Sequence, residues 1–178
     1  MFVLYYKQMC INRERVFTLK NEILKLLERD SRYTIDQLAT MLDADPEAVA
    51  ATIKELEEEK IILGYKTLIN WERTDRDNIS AIITIKITPQ RGDGYDKIAE
   101  RIYKYPQVRG VTLMSGSFDL LVSVEGKTLK DVAMFVSEKL APMEGVVSTN
   151  THFTLKTYKK EDVIFTGEDV DDREVITI

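Results

Sequence analysis

Residues able to do covalent or metal chemistry are few in this chain. It has one cysteine, Cys10, and one histidine, His152, among 178 residues. One thiol and one imidazole cannot close a four-ligand zinc site of the structural type, and a lone cysteine forms no internal disulfide. The common nucleophile and base pairs need a second such group. Carboxylates are plentiful, with 30 Asp and Glu, but no spacing pairs two of them convincingly. The sequence therefore predicts no enzyme, no metal site and no cofactor.

The charge distribution says more than its sum. Net charge is −5, which argues against a generally basic surface. From Glu161 to Ile178 seven acids stand against Arg173, so this stretch alone carries −6 and the rest +1. Charge that dense disfavours burial and predicts a solvated acidic tail over 161–178. No apolar run reaches the roughly 18 residues of a membrane span. Phe2-Val3-Leu4-Tyr5-Tyr6 is also too short for the core of a signal peptide, so the chain reads as cytoplasmic, with no membrane partner.

The elements that would position function fall into two groups. Leu19, Ile23, Leu26 and Leu27 recur at helical spacing over 18–29. Thr34 and Gln37 can form a capping box, opening a second helix whose apolar face is Ile35, Leu38, Ala39 and Leu42. Asp45-Pro46 announces a third, with Val49, Ile53 and Leu56 on one side. A tight turn at Asp43-Ala44 separates the last two, and Ile61 to Ile69 reads as the turn and strands of a small wing. The sequence divides into an N-terminal extension (1–17), a winged helix-turn-helix domain (18–70), a linker (71–78), a second domain (79–160) and the acidic tail (161–178).

In the second domain Ile79–Thr88 alternates as a strand, with Ala81, Ile83, Ile85 and Ile87 on one face. The run 89–94 breaks it. A helix follows around Tyr95–Tyr103, then strands Val108–Met114 and Asp119–Glu125. A further helix begins at Thr128-Leu129-Lys130-Asp131, with Val132, Phe135, Val136 and Leu140 inward, and a last strand runs from about Val146 to Tyr158. The order βαββαβ predicts an α+β chain whose second domain is ferredoxin-like, a four-stranded antiparallel sheet with two helices on one face. An uncovered face carrying Ile82, Val147 and Phe153 is most readily buried by a second copy, which predicts at least a homodimer.

Double-stranded DNA is the partner that the helix-turn-helix layout implies, with the third helix in the major groove. The chemistry of that helix pulls the other way. From Asp45 to Lys60 six acids face Lys54 and Lys60, a net of −4. The outward positions near its start are Glu47, Ala48, Ala50 and Ala51, none of which offers the Arg, Asn or Gln fork that reads a purine. Positive charge lies on Arg13, Arg15, Lys20, Lys25, Arg29 and Arg32, and on Lys66 of the wing. The candidate DNA-facing residues are therefore Thr34, Glu47, Ala48, Ala50, Ala51, Lys54 and Lys66, with Lys20 and Lys25 as backbone contacts; for such lysines plain solvated surface is the more common role.

These residues resemble the Lrp/AsnC (feast/famine) family of bacterial and archaeal transcription factors. The resemblance spans about 18–158 and rests on Ile23 to Arg32, Leu38-Ala39, Val49 with Ile53 to Tyr65, and Met114-Ser115-Gly116-Ser117-Phe118-Asp119, similar to the family's Gly-x-x-Asp turn. It implies a RAM-type sensing domain that dimerises through its sheets, assembles further, commonly to octamers, and binds a small effector, usually an amino acid, between dimers. The family's effector site maps onto Leu113, Met114, Ser115, Gly116, Ser117 and Asp119, joined by Thr149 and Thr151. A glycine turn lets a ligand approach the backbone, and Asp119 can pair with an α-ammonium group; taken alone, the same residues also suit an ordinary hairpin turn capped by Asp. Family members usually carry Arg along the recognition helix, where this chain has Ala50, Ala51, Thr52 and Glu55. Two readings follow: a regulator whose DNA binding responds to an amino acid, or a ligand-sensing oligomeric module with weak or lost DNA binding that acts through protein partners.

Overall fold

In the computed structural model, which describes residues 18–75, 78–88 and 94–165, the chain folds as two units that meet between Ile69 and Asn70. Cys10, Arg13, Arg15, the run 89–93 and residues 166–178 lie outside the described residues.

Three helices build the first unit: α1 (18–29), α2 (Ile35–Leu42) and α3 (Pro46–Glu58). Ile23, Leu38, Val49 and Leu56 are wholly buried at their centre, with Leu19, Leu26, Leu27 and Ile53 packed around them. Ile35, expected inward, is exposed; it lies on the same side of α2 as Leu38 and Ala39 but in the first turn, one turn short of these buried residues. The predicted capping box forms, with Gln37 N donating to Thr34 Oγ1 at 3.3 Å and Thr34 N to Gln37 Oε1 at 2.9 Å. Asp45 caps α3 by accepting from Ala48 N at 3.3 Å, and Pro46 opens the helix, where its missing N–H costs no bond.

Two corners of this unit use left-handed backbone without glycine. Asp43 ends α2 at φ 47°, and Lys60 follows α3 at φ 59°. At Lys60 the pattern is a Schellman closure: Lys60 N donates to Glu57 O at 3.1 Å and Ile61 N to Leu56 O at 2.9 Å. Beyond it, residues 63–70 have no strand partner among the described residues, so the strands expected in the wing do not form within this chain. A strand exists only through the ladder it pairs with. Tyr65 is instead fastened to α3, donating to Glu57 Oε1 at 2.9 Å.

Between α1 and α2, Arg32 closes on Asp30 with three hydrogen bonds of 2.8–3.0 Å, two from its guanidinium and one from its backbone N–H. The Arg32 side chain and then its N–H hold the Asp30 carboxyl at about 2, below its ordinary 3.8.

The second unit is a sheet in the order β2-β3-β1-β4, formed by β1 (Ile79–Ile87), β2 (Val108–Leu113), β3 (Leu120–Gly126) and β4 (Val146–Phe153), all antiparallel to their neighbours. Helices α4 (Asp96–Tyr103) and α5 (Leu129–Phe135), the latter continued by a π-helical turn over Val136–Leu140, supply the layer against it. Ala81, Ile83, Ile85, Leu120, Val122 and Val124 meet Ile98, Ile102, Val132, Phe135 and Leu140 in one core. Burying each of the larger side chains is worth about 1.5–3 kcal/mol. Gly145, at φ 89°, stands where a Cβ would come within 2.8 Å of Ile98 Cδ1, so the turn into β4 needs both its backbone freedom and its size.

Two expectations change here. Phe153 pairs with Ala81 and packs on the helix-covered side, not the open one. The cause is a bulge: between Lys86 and Ile87 the β1–β4 register shifts, inserting Val147, and this reverses the parity of β4. The open face is therefore mainly polar around Ile82 and Leu121. The last strand also ends at Phe153 rather than Tyr158. After it comes a hairpin, β5 (Lys159–Lys160) and β6 (Val163–Ile164), whose turn contains Glu161 and Asp162 at positive φ. Asn70 Nδ2 donates to Phe165 O at 3.2 Å, and Thr157 N to Glu72 Oε1 at 3.3 Å, so a short 3-10 helix (Trp71–Arg73) and its N-cap Asn70 are tied to this hairpin region.

The left-handed corners give a stability test. Lys60→Gly relieves a strain of about 1–2 kcal/mol and adds unfolded-state entropy of about 0.4–1 kcal/mol, for a net gain near 0.5–1 kcal/mol in denaturant unfolding. Asp43→Gly gains less, because Asp tolerates this region better. The Asp30 carboxyl should titrate near 2 by NMR. Since its folded value is depressed, its contribution is full above 3.8 and lost as pH falls through about 2; Arg32→Ala should return the midpoint towards 3.8.

Candidate functional site

The turn joining β2 to β3 sits where the sheet is least regular. Met114 N donates to Asp119 O at 2.8 Å, and Asp119 N to Ile85 O at 2.9 Å, so the turn is closed on itself and fixed to the end of β1. Leu113, Met114, Ser115, Gly116 and Ser117 are all exposed. Gly116 has φ 156° and nothing within 4 Å of where a Cβ would lie, leaving its backbone open to approach.

Asp119 is already employed. Its Oδ2 accepts from Ile87 N at 2.8 Å, and its Oδ1 lies 3.6 Å from Lys86 Nζ. Its side chain is 14% exposed. The Ile87 N–H lies on the β3 side of β1, beyond Leu120 where β3 starts, so the carboxylate does the work of the ladder bond that β3 does not reach to make. A carboxylate has about four acceptor directions, and one is filled by a hydrogen bond, leaving Oδ1 with capacity to spare. Lys86 was not legible as a neighbour of this turn, since only the pairing of β1 with β3 brings it there.

Thr149 and Thr151 do not join this group. They lie opposite Ile85 and Ile83 on the helix-covered side of β4. Strand order puts β4 two strands from β3, about 10 Å away. His152 is exposed on the opposite face of β4, beside Ile82. Among the described residues no three His, Cys, Asp or Glu gather to hold a metal ion, and no helix is long and apolar enough to cross a membrane.

In the first unit the outward face of α3 carries Glu47, Ala48, Ala51 and Lys54, all exposed, with Ala50 half-buried. Thr34 spends its hydroxyl on the α2 cap. Lys20 lies across α3, with Nζ 2.8 Å from Glu55 Oε1 and 3.6 Å from Glu59 Oε2. The Glu55 hydrogen bond, and then the nearby negative charge, push the Lys20 ammonium up. Lys25 pairs with Glu22 at 2.8 Å and Lys54 with Glu58 at 3.8 Å. Lys66 is exposed. Burial, with the Glu57 hydrogen bond behind it, pushes the Tyr65 phenol up. The face thus offers small apolar contacts at its start and charge at its end that the protein itself partly offsets.

The sequence matches the family model of the Lrp/AsnC ligand binding domain over residues 80–164 and that of a winged helix-turn-helix DNA-binding domain over 18–62. It is 42% identical over 159 residues, covering 89% of this chain and 96% of the other, to the uncharacterized HTH-type transcriptional regulator YugG of Bacillus subtilis. The transcriptional regulator NMB0573 of Neisseria meningitidis, solved as an L-Met complex, shares the fold with a TM-score of 0.65 at 23% identity, covering 80% of this chain and 91% of that one. E. coli AsnC does so with a TM-score of 0.63 at 17% identity, covering 80% and 94%.

Removing the Asp119 acceptor separates its structural duty from any binding duty. Asp119→Ala leaves Ile87 N–H without its partner and should cost about 1–3 kcal/mol in denaturant unfolding. Asp119→Asn keeps an acceptor oxygen and should cost less than about 1 kcal/mol. Equal losses would mean that charge, and not the hydrogen bond, holds the turn.

Proposed function

The chain belongs to the Lrp/AsnC family of HTH-type transcriptional regulators, and from that premise we propose that it binds double-stranded DNA as a homo-oligomer whose affinity responds to an amino-acid effector at the turn after β2. It is a transcriptional regulator with a helix-turn-helix and a ligand-binding domain, and not an enzyme. The observation that carries the proposal is the union, in one chain, of a capped helix-turn-helix with a sensing domain whose Gly116 turn is open to a ligand. The Neisseria regulator of the same fold, solved with L-Met, supports the effector class.

The manner of DNA contact follows from α3. Ala48 and Ala51 can touch thymine methyl groups, but no side chain on that face forks onto a purine. Glu47, Glu58 and the other acids oppose the phosphates. Each protomer therefore contributes little, and assembly multiplies weak contacts through effective concentration, with DNA deformability adding selectivity. The open sheet face is the surface proposed for the homodimer, with higher assembly, up to an octamer, adding valency. Regulation of this kind takes place in the cytoplasm, where the DNA is.

The test is binding to fragments of the source genome at several salt concentrations, with and without a panel of amino acids. Log affinity should fall linearly with log salt, by about 0.9 for each phosphate neutralised. Lys54→Glu with Lys66→Glu should weaken binding on all sequences and flatten the slope by about 2 per protomer. An amino acid should shift the affinity or the oligomeric state. No retained fragment and no salt slope would overturn DNA regulation in favour of a sensing module that works through protein partners, a reading that the acidity of α3 favours.

A further inference from the structure

We propose that Lys86, together with Asp119, selects the zwitterionic head group of the effector, Asp119 taking its α-ammonium and Lys86 its α-carboxylate. The inference rests on the amino-acid reading above. Three observations carry it.

The first is the unequal use of the two oxygens of Asp119. Oδ2 is held by Ile87 N–H at 2.8 Å, while Oδ1 faces Lys86 Nζ at 3.6 Å, beyond hydrogen-bond length for an ammonium. The second is the difference in freedom of the two charges. Asp119 is 14% exposed and fixed by the strand end, whereas Lys86 is 45% exposed on a flexible four-carbon stem. The third is position: Lys86 leaves β1 on the open face, opposite Ser148, and meets the turn whose Gly116 backbone is unobstructed and whose Leu113 and Met114 are exposed.

A loosely paired anion and cation, one fixed and one mobile, form the complement of a zwitterion. An incoming ammonium replaces Lys86 at Oδ1 without disturbing Ile87, and the displaced lysine turns to the carboxylate that arrives beside it. Charge is conserved at every point, so neither partner is left buried and alone. A neutral ligand, or one with only an amine, would leave Lys86 displaced and unpaired. A dicarboxylate lacking an amine would meet the Asp119 charge. Met114 then offers apolar surface for a side chain.

The probes are L-α-amino acids and the matching α-carboxamides, which keep the ammonium and lose the carboxylate. Thermal shift of the full chain finds the acids that bind, and calorimetry gives their dissociation constants against wild type, Lys86→Met and Lys86→Arg. The acid should bind wild type at least about tenfold more tightly than its amide. Lys86→Met should remove that preference by weakening the acid about tenfold while the amide, no longer competing with the lysine for Asp119, binds as tightly or more tightly, and Lys86→Arg should restore most of the preference. Equal weakening of acid and amide, or no change in either, would overturn the role of Lys86 and leave the amino-acid reading standing. If no amino acid shifts wild type, the amino-acid reading itself falls, and this inference with it.

Discussion

The alternation of β1 is the constraint on which the sensing unit depends. Ile83 and Ile85 are wholly buried beneath the helices, while Thr84 and Lys86 point the other way. A slip of one residue against β3 would exchange the two sets, putting a lysine in the core and two isoleucines on the open face. Both neighbours enforce the register, since β1 is paired to β3 on one side and β4 on the other. Everything at the turn follows from it: Asp119 meets Ile87 only because Ile85 is opposite Leu120.

The same strand explains why the irregular features gather at one end. The ladder between β1 and β4 shifts at Lys86/Ile87, and on the other side β3 starts only opposite Ile85, which would leave the Ile87 N–H without a strand partner. Asp119 supplies the acceptor from the neighbouring turn, and the bulge admits Val147 as an extra residue. A sheet end held by a side chain instead of a ladder is a natural place for binding. Its geometry is fixed by one hydrogen bond, yet its second oxygen and its lysine neighbour remain reachable.

Much of this was legible in the sequence, and the gaps have physical causes. The caps at Thr34, Asp45 and Thr128 are local, set by residues three apart, and all three form as the sequence suggests. The isoleucine alternation of β1 and the helical spacing of α1 to α3 are equally local. Phe153 faces the helices and not the open side because one inserted residue, Val147, reverses the alternation along β4, which periodicity alone does not reveal. Lys20 against Glu55 and Glu59 was illegible for a different reason, since it depends on how α1 crosses α3. Of the candidate effector residues, Leu113 to Asp119 share one turn because they are adjacent in sequence. Thr149 and Thr151 stand apart because strand order, which sequence does not state, places another strand between.

The two units answer the problem of charge in opposite ways. In the sensing unit, one fixed carboxylate and one mobile ammonium are kept close but unsaturated, which suits a ligand that carries both signs. In the helix-turn-helix unit, the acids of α3 are partly saturated from within, Lys20 covering Glu55 and Glu59 and Tyr65 covering Glu57. That internal pairing lowers the repulsion between α3 and phosphate without creating attraction, because every lysine spent on a glutamate is one not spent on DNA. An exposed pair adds at most about 1 kcal/mol to stability, so its larger consequence is electrostatic. The pairing gathers at the far end of the helix, at Glu55, Glu58 and Glu59, whereas Glu47 at its start stays exposed beside Ala48 and Ala51. On the proposed reading, a single unit built this way discriminates weakly, and selectivity comes from how many such faces are presented together.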